Sequence, residues 1–111
     1  MTTVKIMQGD SHVMFFELRR SGVVVTPDTV SEIEITVGSA LRKLYSSGDV
    51  GYDWNRKQWY FYPTQEETLS MEPDGYEVQA RIKYPNGQYS PVKGITIGRI
   101  VITEAQSKEV I

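Results

Sequence analysis

The chain has 111 residues, of which 40% are hydrophobic and 23% charged, with a formal net charge of −2 and a pI near 5.4. One domain of this length buries roughly 60 to 70 per cent of its unfolded surface, enough for a single core and too little for a second domain. Cysteine is absent, which excludes disulfides, zinc–thiolate sites and thiol nucleophiles and leaves the redox compartment unreadable. The basic residues are scattered apart from the doublets Arg19-Arg20, Arg42-Lys43 and Arg56-Lys57, so nucleic acid is not an expected partner.

The opening Met1 to Asp10 lacks the charged head and apolar run of a signal peptide. No window approaches the ~20 apolar residues of a membrane span, so a soluble protein with no membrane partner is expected. Val4 and Ile6 alternate with Lys5, a short strand ended by Gln8-Gly9-Asp10-Ser11. In His12 to Arg19, Met14, Phe16 and Leu18 share one face against Val13, Phe15 and Glu17. Phe15 breaks the alternation and reads as a second buried face, a partner-facing aromatic or a bulge, with covered surface the expectation. Arg20-Ser21-Gly22 turns into Val23-Val24-Val25, and Pro27 marks an edge or an exit.

Ile33, Ile35 and Val37 alternate with Glu32, Glu34 and Thr36 in a core strand. Ala40 to Tyr45 fits a helical turn or a strand and is read as a strand. Ser46 to Asp49 and Gly51 read as a loop. Lys57 to Tyr62 places Trp59 and Phe61 on a buried face opposite Tyr60 and Tyr62, and Pro63 stops it. Thr64 with Glu67 three residues on has the form of a capping box and predicts one helical turn. Pro73-Asp74-Gly75 then turns into the clearest strand, in which Tyr76, Val78, Ala80, Ile82 and Tyr84 lie on one side and Glu77, Gln79, Arg81 and Lys83 on the other. Pro85-Asn86-Gly87 predicts a hairpin. Beyond Pro91, the apolar positions are Ile95 and Ile97 before Gly98 but Ile100 and Ile102 after it, the phase change of a β-bulge. That bulge is expected to aim Arg99 outward and to leave a free sheet edge. Residues 104–111 form a C-terminal tail, polar until Val110 and Ile111, and read as a loose end or a docking peptide.

About seven short strands with turn signals every 8 to 12 residues or so predict an all-β, immunoglobulin-like antiparallel two-sheet sandwich over residues 1–103, with a small closed barrel as runner-up. Tyr76, after Leu69, Met71, Pro73 and Gly75, is placed like the tyrosine that closes the corner between sheets in such folds. The predicted core joins Ile35, Trp59, Tyr76, Val78 and Ile82.

Catalytic chemistry has little support. The single histidine, His12, has no cysteine and no evident serine partner, and is expected at a strand edge as a structural or surface residue. Glu32-Glu34 and Glu66-Glu67 are expected on solvated surface. Asp49, Asp53 and Asn55 share a segment without the spacing of a calcium loop, and no glycine-rich phosphate cradle is present; no catalytic residue, metal or cofactor is therefore assigned. Aromatics are the surplus. With Tyr60 and Tyr62 opposite Trp59 and Phe61, some rings are expected outside, where they serve protein contacts or sugar stacking or simply cover the sheet.

The turn Gln8-Gly9-Asp10-Ser11 leading into Phe16-Glu17-Leu18, the crossover into Ile33-Glu34-Ile35, the turn Thr64-Gln65-Glu66-Glu67-Thr68, and the strand Gly75 to Tyr84 with Asn86-Gly87 together resemble small immunoglobulin-like virion domains of tailed bacteriophages. These include the N-terminal domain of the upper baseplate protein and short virion proteins of prophages in Gram-positive bacteria. The likeness runs from about Ile6 to Ile102. It implies a non-enzymatic structural or interaction module of a phage or prophage particle, located in the virion or in the host cytoplasm before assembly. Its implied partners are other virion proteins, with a homo-oligomer left open, met through sheet edges, exposed aromatics and the tail. The chain ends soon after the domain, unlike the baseplate protein. The candidate interaction residues are Trp54, Tyr60, Tyr62, Arg99, Val110 and Ile111. The alternative is a small carbohydrate-binding module that stacks sugars on Trp54, Tyr60 and Tyr62.

Overall fold

A computed structural model of the chain describes residues 2–20, 22–85, 95–107 and 109. Among these, the strands are β1 (Thr2–Met7), β2 (Met14–Phe16), β3 (Arg19–Arg20), β4 (Val23–Val24), β5 (Glu32–Val37), β6 (Leu41–Leu44), β7 (Val50–Asp53), β8 (Gln58–Phe61), β9 (Gly75–Lys83) and β10 (Ile95–Thr103), with a helix α1 (Gln65–Ser70) and a 3-10 turn at Pro27–Thr29. A five-stranded sheet has the order β1-β10-β9-β5-β6, a three-stranded sheet the order β2-β8-β7, and β3 and β4 form a separate hairpin. With β2, β8 and β7 on one layer and β5, β9 and β10 on the other, the strand order is that of an immunoglobulin-like sandwich.

Alternation drives the assembly. Ile33, Ile35, Val37, Val78, Ala80, Ile82, Ile100 and Ile102 supply the inner face of the large sheet, and Met14, Phe16, Val50, Trp59 and Phe61 that of the small one, in one apolar cluster. Trp59 is fully buried, and its indole Nε1 donates to the Val25 carbonyl at 2.9 Å. A buried indole needs such a partner, and Val25 thereby anchors the segment that follows β4. The Thr64–Glu67 capping box forms as expected: Thr64 Oγ1 accepts from the Glu67 N–H at 3.2 Å, and Glu67 Oε1 accepts from the Thr64 N–H at 2.8 Å.

Four expectations change. First, the sheets are not wholly antiparallel, because β1 runs parallel to β10 with Ile6 opposite Ile102. Second, Gly51 lies in a strand, β7, and not in a loop. The Tyr60 ring occupies the space that a Cβ at Gly51 would fill, so the glycine that disguises the strand in the sequence is what lets the neighbouring ring lie down. Third, Tyr76 sits at the rim of the core and is only partly buried; its hydroxyl donates to the Glu72 carbonyl at 2.7 Å, the corner bond anticipated for it. Fourth, the bulge is present, with the β9–β10 register shifting between Thr96 and Gly98, but β10 is no edge. It lies between β1 and β9, so the edges of the large sheet are β1 and β6. Gly98 faces the core, where a Cβ would run into the Thr2 carbonyl oxygen and the Met14 methyl group. The predicted Asn86-Gly87 turn lies outside the described residues, while the strands on either side of it are antiparallel neighbours.

The crossover through α1 is held by buried polar groups. Thr68 is fully buried; its hydroxyl donates to the Asp10 carbonyl at 2.9 Å and accepts from the Gly9 N–H at 2.9 Å. Gln8, also buried, donates from its side-chain amide to the Met71 carbonyl at 2.9 Å and accepts from the Ala105 N–H at 3.4 Å. These bonds tie the β1–β2 turn, α1 and the exit of β10 together. Two substitutions test the arrangement by chemical denaturation. Ile82→Ala, at a fully buried site, should lower stability by roughly 2 to 5 kcal/mol. Gly98→Ala should cost about 1 to 3 kcal/mol, because backbone must move to admit the methyl group.

Candidate functional site

The outer face of the small sheet carries the exposed aromatics. Phe15 on β2 stands opposite Tyr60 on β8, and Tyr60 stands opposite Gly51 on β7. The rings of Phe15 and Tyr60 meet at 5.8 Å between centroids. Arg56 lies over Phe15, with its guanidinium carbon 3.8 Å from the ring centroid, a cation–π contact that covers part of the ring. The hydroxyl end of Tyr60 lies over Gly51, so the ring runs along the sheet and is partly exposed.

The β7–β8 turn completes this surface. Asp53 and Gln58 pair across it, and Asp53 Oδ1 accepts from the N–H groups of Asn55 and Arg56, both at 3.0 Å. Lys57 closes the turn in the left-handed region, at φ 56°. A side-chain cap of this kind fixes a tight turn without a glycine. It holds Trp54 out at the tip, 59% exposed, in edge contact with Tyr52 at 4.8 Å between centroids. Val13, Phe15, Tyr52, Asp53, Trp54, Asn55 and Tyr60 line a groove of about 470 Å³. The structure thus brings together Trp54 and Tyr60 of the expected residues and adds Tyr52, Asn55 and Val13, which sequence reasoning missed. The available signal was Gly51 two residues before Asp53, a strand carrying a glycine to seat a ring.

Tyr62 belongs elsewhere. It is 48% exposed and lines a small recess with Lys43, Gly48, Asp49 and Thr64. Arg99 does point outward, and its guanidinium lies over Gly75 beside a groove shared with Glu77 and Thr96. Val110 and Ile111 lie outside the described residues. His12 is exposed. Asp49 is at the recess while Asp53 is at the turn, and among the described residues no three His, Cys, Asp or Glu side chains converge to hold a metal ion. No helix among those residues is long and apolar enough to cross a membrane.

The carboxylates expected on solvated surface are mostly engaged. Glu34 pairs with Arg42 at 2.7 Å and with Arg81 at 3.7 Å. Glu32 accepts from the Ser46 hydroxyl and the N–H groups of Ser46 and Ile33. Glu67 binds the Lys43 ammonium at 2.6 Å, and Lys43 is itself buried on the inward side of edge strand β6. Burial alone would raise the Glu67 carboxyl, but the Lys43 ammonium and the Thr64 N–H donate to it and hold it below its ordinary value. A carboxyl depressed in the folded state adds stability that is present above its unfolded value, near 4.5, and lost as pH falls through the folded value. Glu67→Gln should therefore be less stable than the parent at pH 7, and the difference should shrink below about pH 4. Urea denaturation of both proteins at pH 3 and pH 7 measures this.

The class these features define is a small all-β sandwich with an aromatic groove on the outer face of its lesser sheet. The chain matches no protein-family model and no curated protein.

Proposed function

We propose that the chain is a non-enzymatic structural and interaction module of a phage or prophage particle, joined to other virion proteins by strand pairing. The observation that carries this reading is the outer edge of β1, and the sequence resemblance to phage virion domains supports it. Natural edge strands are blunted by brevity, by inward charges or by irregularity. Strand β2 has only three residues. Strand β6 turns Lys43 inward, and β7 has only four residues, one of them Gly51. Strand β1 has six residues, pairs on one side only among the described residues and carries Lys5 as its single charge.

The register defines which groups are free. Gln8 N–H bonds the Thr103 carbonyl at 2.9 Å, so even-numbered residues of β1 turn their backbone groups to β10. Thr3 and Lys5 turn theirs outward. An extended segment of a partner pairing there would gain main-chain hydrogen bonds, the usual basis of strand addition. A particle protein with such a role should co-sediment with particles induced from the strain that encodes it. Thr3→Pro removes one outward N–H while sparing the bonds to β10. Its unfolding midpoint should stay nearly unchanged while its share in the particle fraction falls. Exclusion of the parent chain from purified particles would count against the reading.

A further inference from the structure

We propose that the groove at the β7–β8 turn binds a neutral carbohydrate, with a pyranose ring stacked on Trp54 and its hydroxyls bonded to Asn55 and Asp53. This site is separate from the β1 edge and does not depend on the particle reading. Three observations carry it.

The first is the pairing of rings with unspent polar atoms. Trp54 Nε1, the Asn55 side-chain amide, the second carboxylate oxygen of Asp53 and the hydroxyls of Tyr52 and Tyr60 make no hydrogen bond to any described residue, although all five residues line one groove. A polyol has alternating donors and acceptors at its rim and weakly positive C–H groups on its flat side. Those C–H groups suit the negative face of an aromatic ring, and the rim suits a mixed set of amide, carboxylate and hydroxyl partners. A purely apolar occupant would cover these polar groups without satisfying them.

The second is charge. Asp53 is the one ionised side chain in the groove lining, and the nearby Arg56 is committed to the face of Phe15. An anionic polymer would meet that carboxylate with no cation among the groove-lining residues to answer it, whereas a neutral sugar would not be repelled. The third is rigidity. The turn is fixed by Asp53 Oδ1 and by Lys57 at positive φ, Tyr60 is seated on Gly51, and Trp54 rests against Tyr52. The rings are held before any ligand arrives, which lowers the ordering cost of binding. Tyr62, in its own recess, takes no part.

The protein carries its own probe. Of its two tryptophans, Trp59 is fully buried and Trp54 is 59% exposed, so a ligand in the groove is seen through Trp54. The full chain would be titrated with cellohexaose, maltohexaose and chitohexaose, and in parallel with dextran sulfate and a proline-rich decapeptide. At least one neutral hexasaccharide should change the fluorescence saturably, and 0.5 M NaCl should leave its affinity unaltered. Calorimetry should show that Trp54→Ala weakens that sugar roughly tenfold, about the weight of one stacked ring. Asn55→Ala should weaken it also. Both residues are exposed at the turn, so both variants should unfold like the parent. Binding of the decapeptide or dextran sulfate alone, silence toward all three neutral sugars, or full affinity in Trp54→Ala would overturn the proposal.

Discussion

The buried Thr68 hydroxyl sits where two chain reversals meet, and the arrangement of the sheets depends on it. A β-sandwich gains its stability from apolar burial, but burial is indifferent to the angle and offset at which two sheets meet. Direction has to come from bonds with geometry. Here the helix between β8 and β9 is short, capped at its start by Thr64 and Glu67 and fastened at its centre by Thr68 to the β1–β2 turn. Gln8 extends the same fastening to Met71 and Ala105. Since a buried hydroxyl or amide left unpaired costs about 1 to 3 kcal/mol, these groups stabilise one relative placement and penalise others. The Tyr76 corner bond to Glu72 then sets where β9 begins.

This placement has consequences at both ends of the molecule. It delivers β1 to β10 in parallel, closing one side of the large sheet and exposing the other side of β1. At the opposite edge, Lys43 is drawn inward to Glu67, so that strand carries a charge where a pairing partner would need an apolar surface. The same two layers give the small sheet an outer face, and that face is where Phe15, Tyr60 and the Trp54 turn gather. Strength is concentrated in the shared core, while the two candidate contact features lie at its margins, where they can differ without disturbing the interior.

Much of this was legible in the residue pattern. The inward sets on β5, β8 and β9, the capping box, the corner tyrosine and the bulge before Gly98 all follow from periodicity or from residues with one local role. What escaped has a common cause: each case depends on a contact distant in sequence. Gly51 signals a loop by itself and a strand only once Tyr60 is known to lie over it. Glu67 reads as a surface charge until the sheet edge that carries Lys43 and the helix start are placed side by side. Thr68 and Gln8 are ordinary polar residues whose burial follows from a crossover. The parallel pairing of β1 has no local signature, and without it β10 reads as an edge. For the site, Trp54 and Tyr60 were found because they are aromatic; Tyr52 and Asn55 flank Trp54 at the β7–β8 turn, whereas Val13 joins them only through the pairing of β2, β8 and β7.

Strand β1 is a parallel edge strand with one side bonded and the other open among the described residues, and residue-resolved amide hydrogen exchange reads that directly. In the monomeric protein, Val4 and Ile6, whose N–H groups face β10, should exchange slowly, and Thr3 and Lys5 should exchange at rates near those of exposed backbone. Uniform protection along Thr2 to Met7, or protection of Thr3 and Lys5 with free exchange at Val4 and Ile6, would contradict both the register and the open edge.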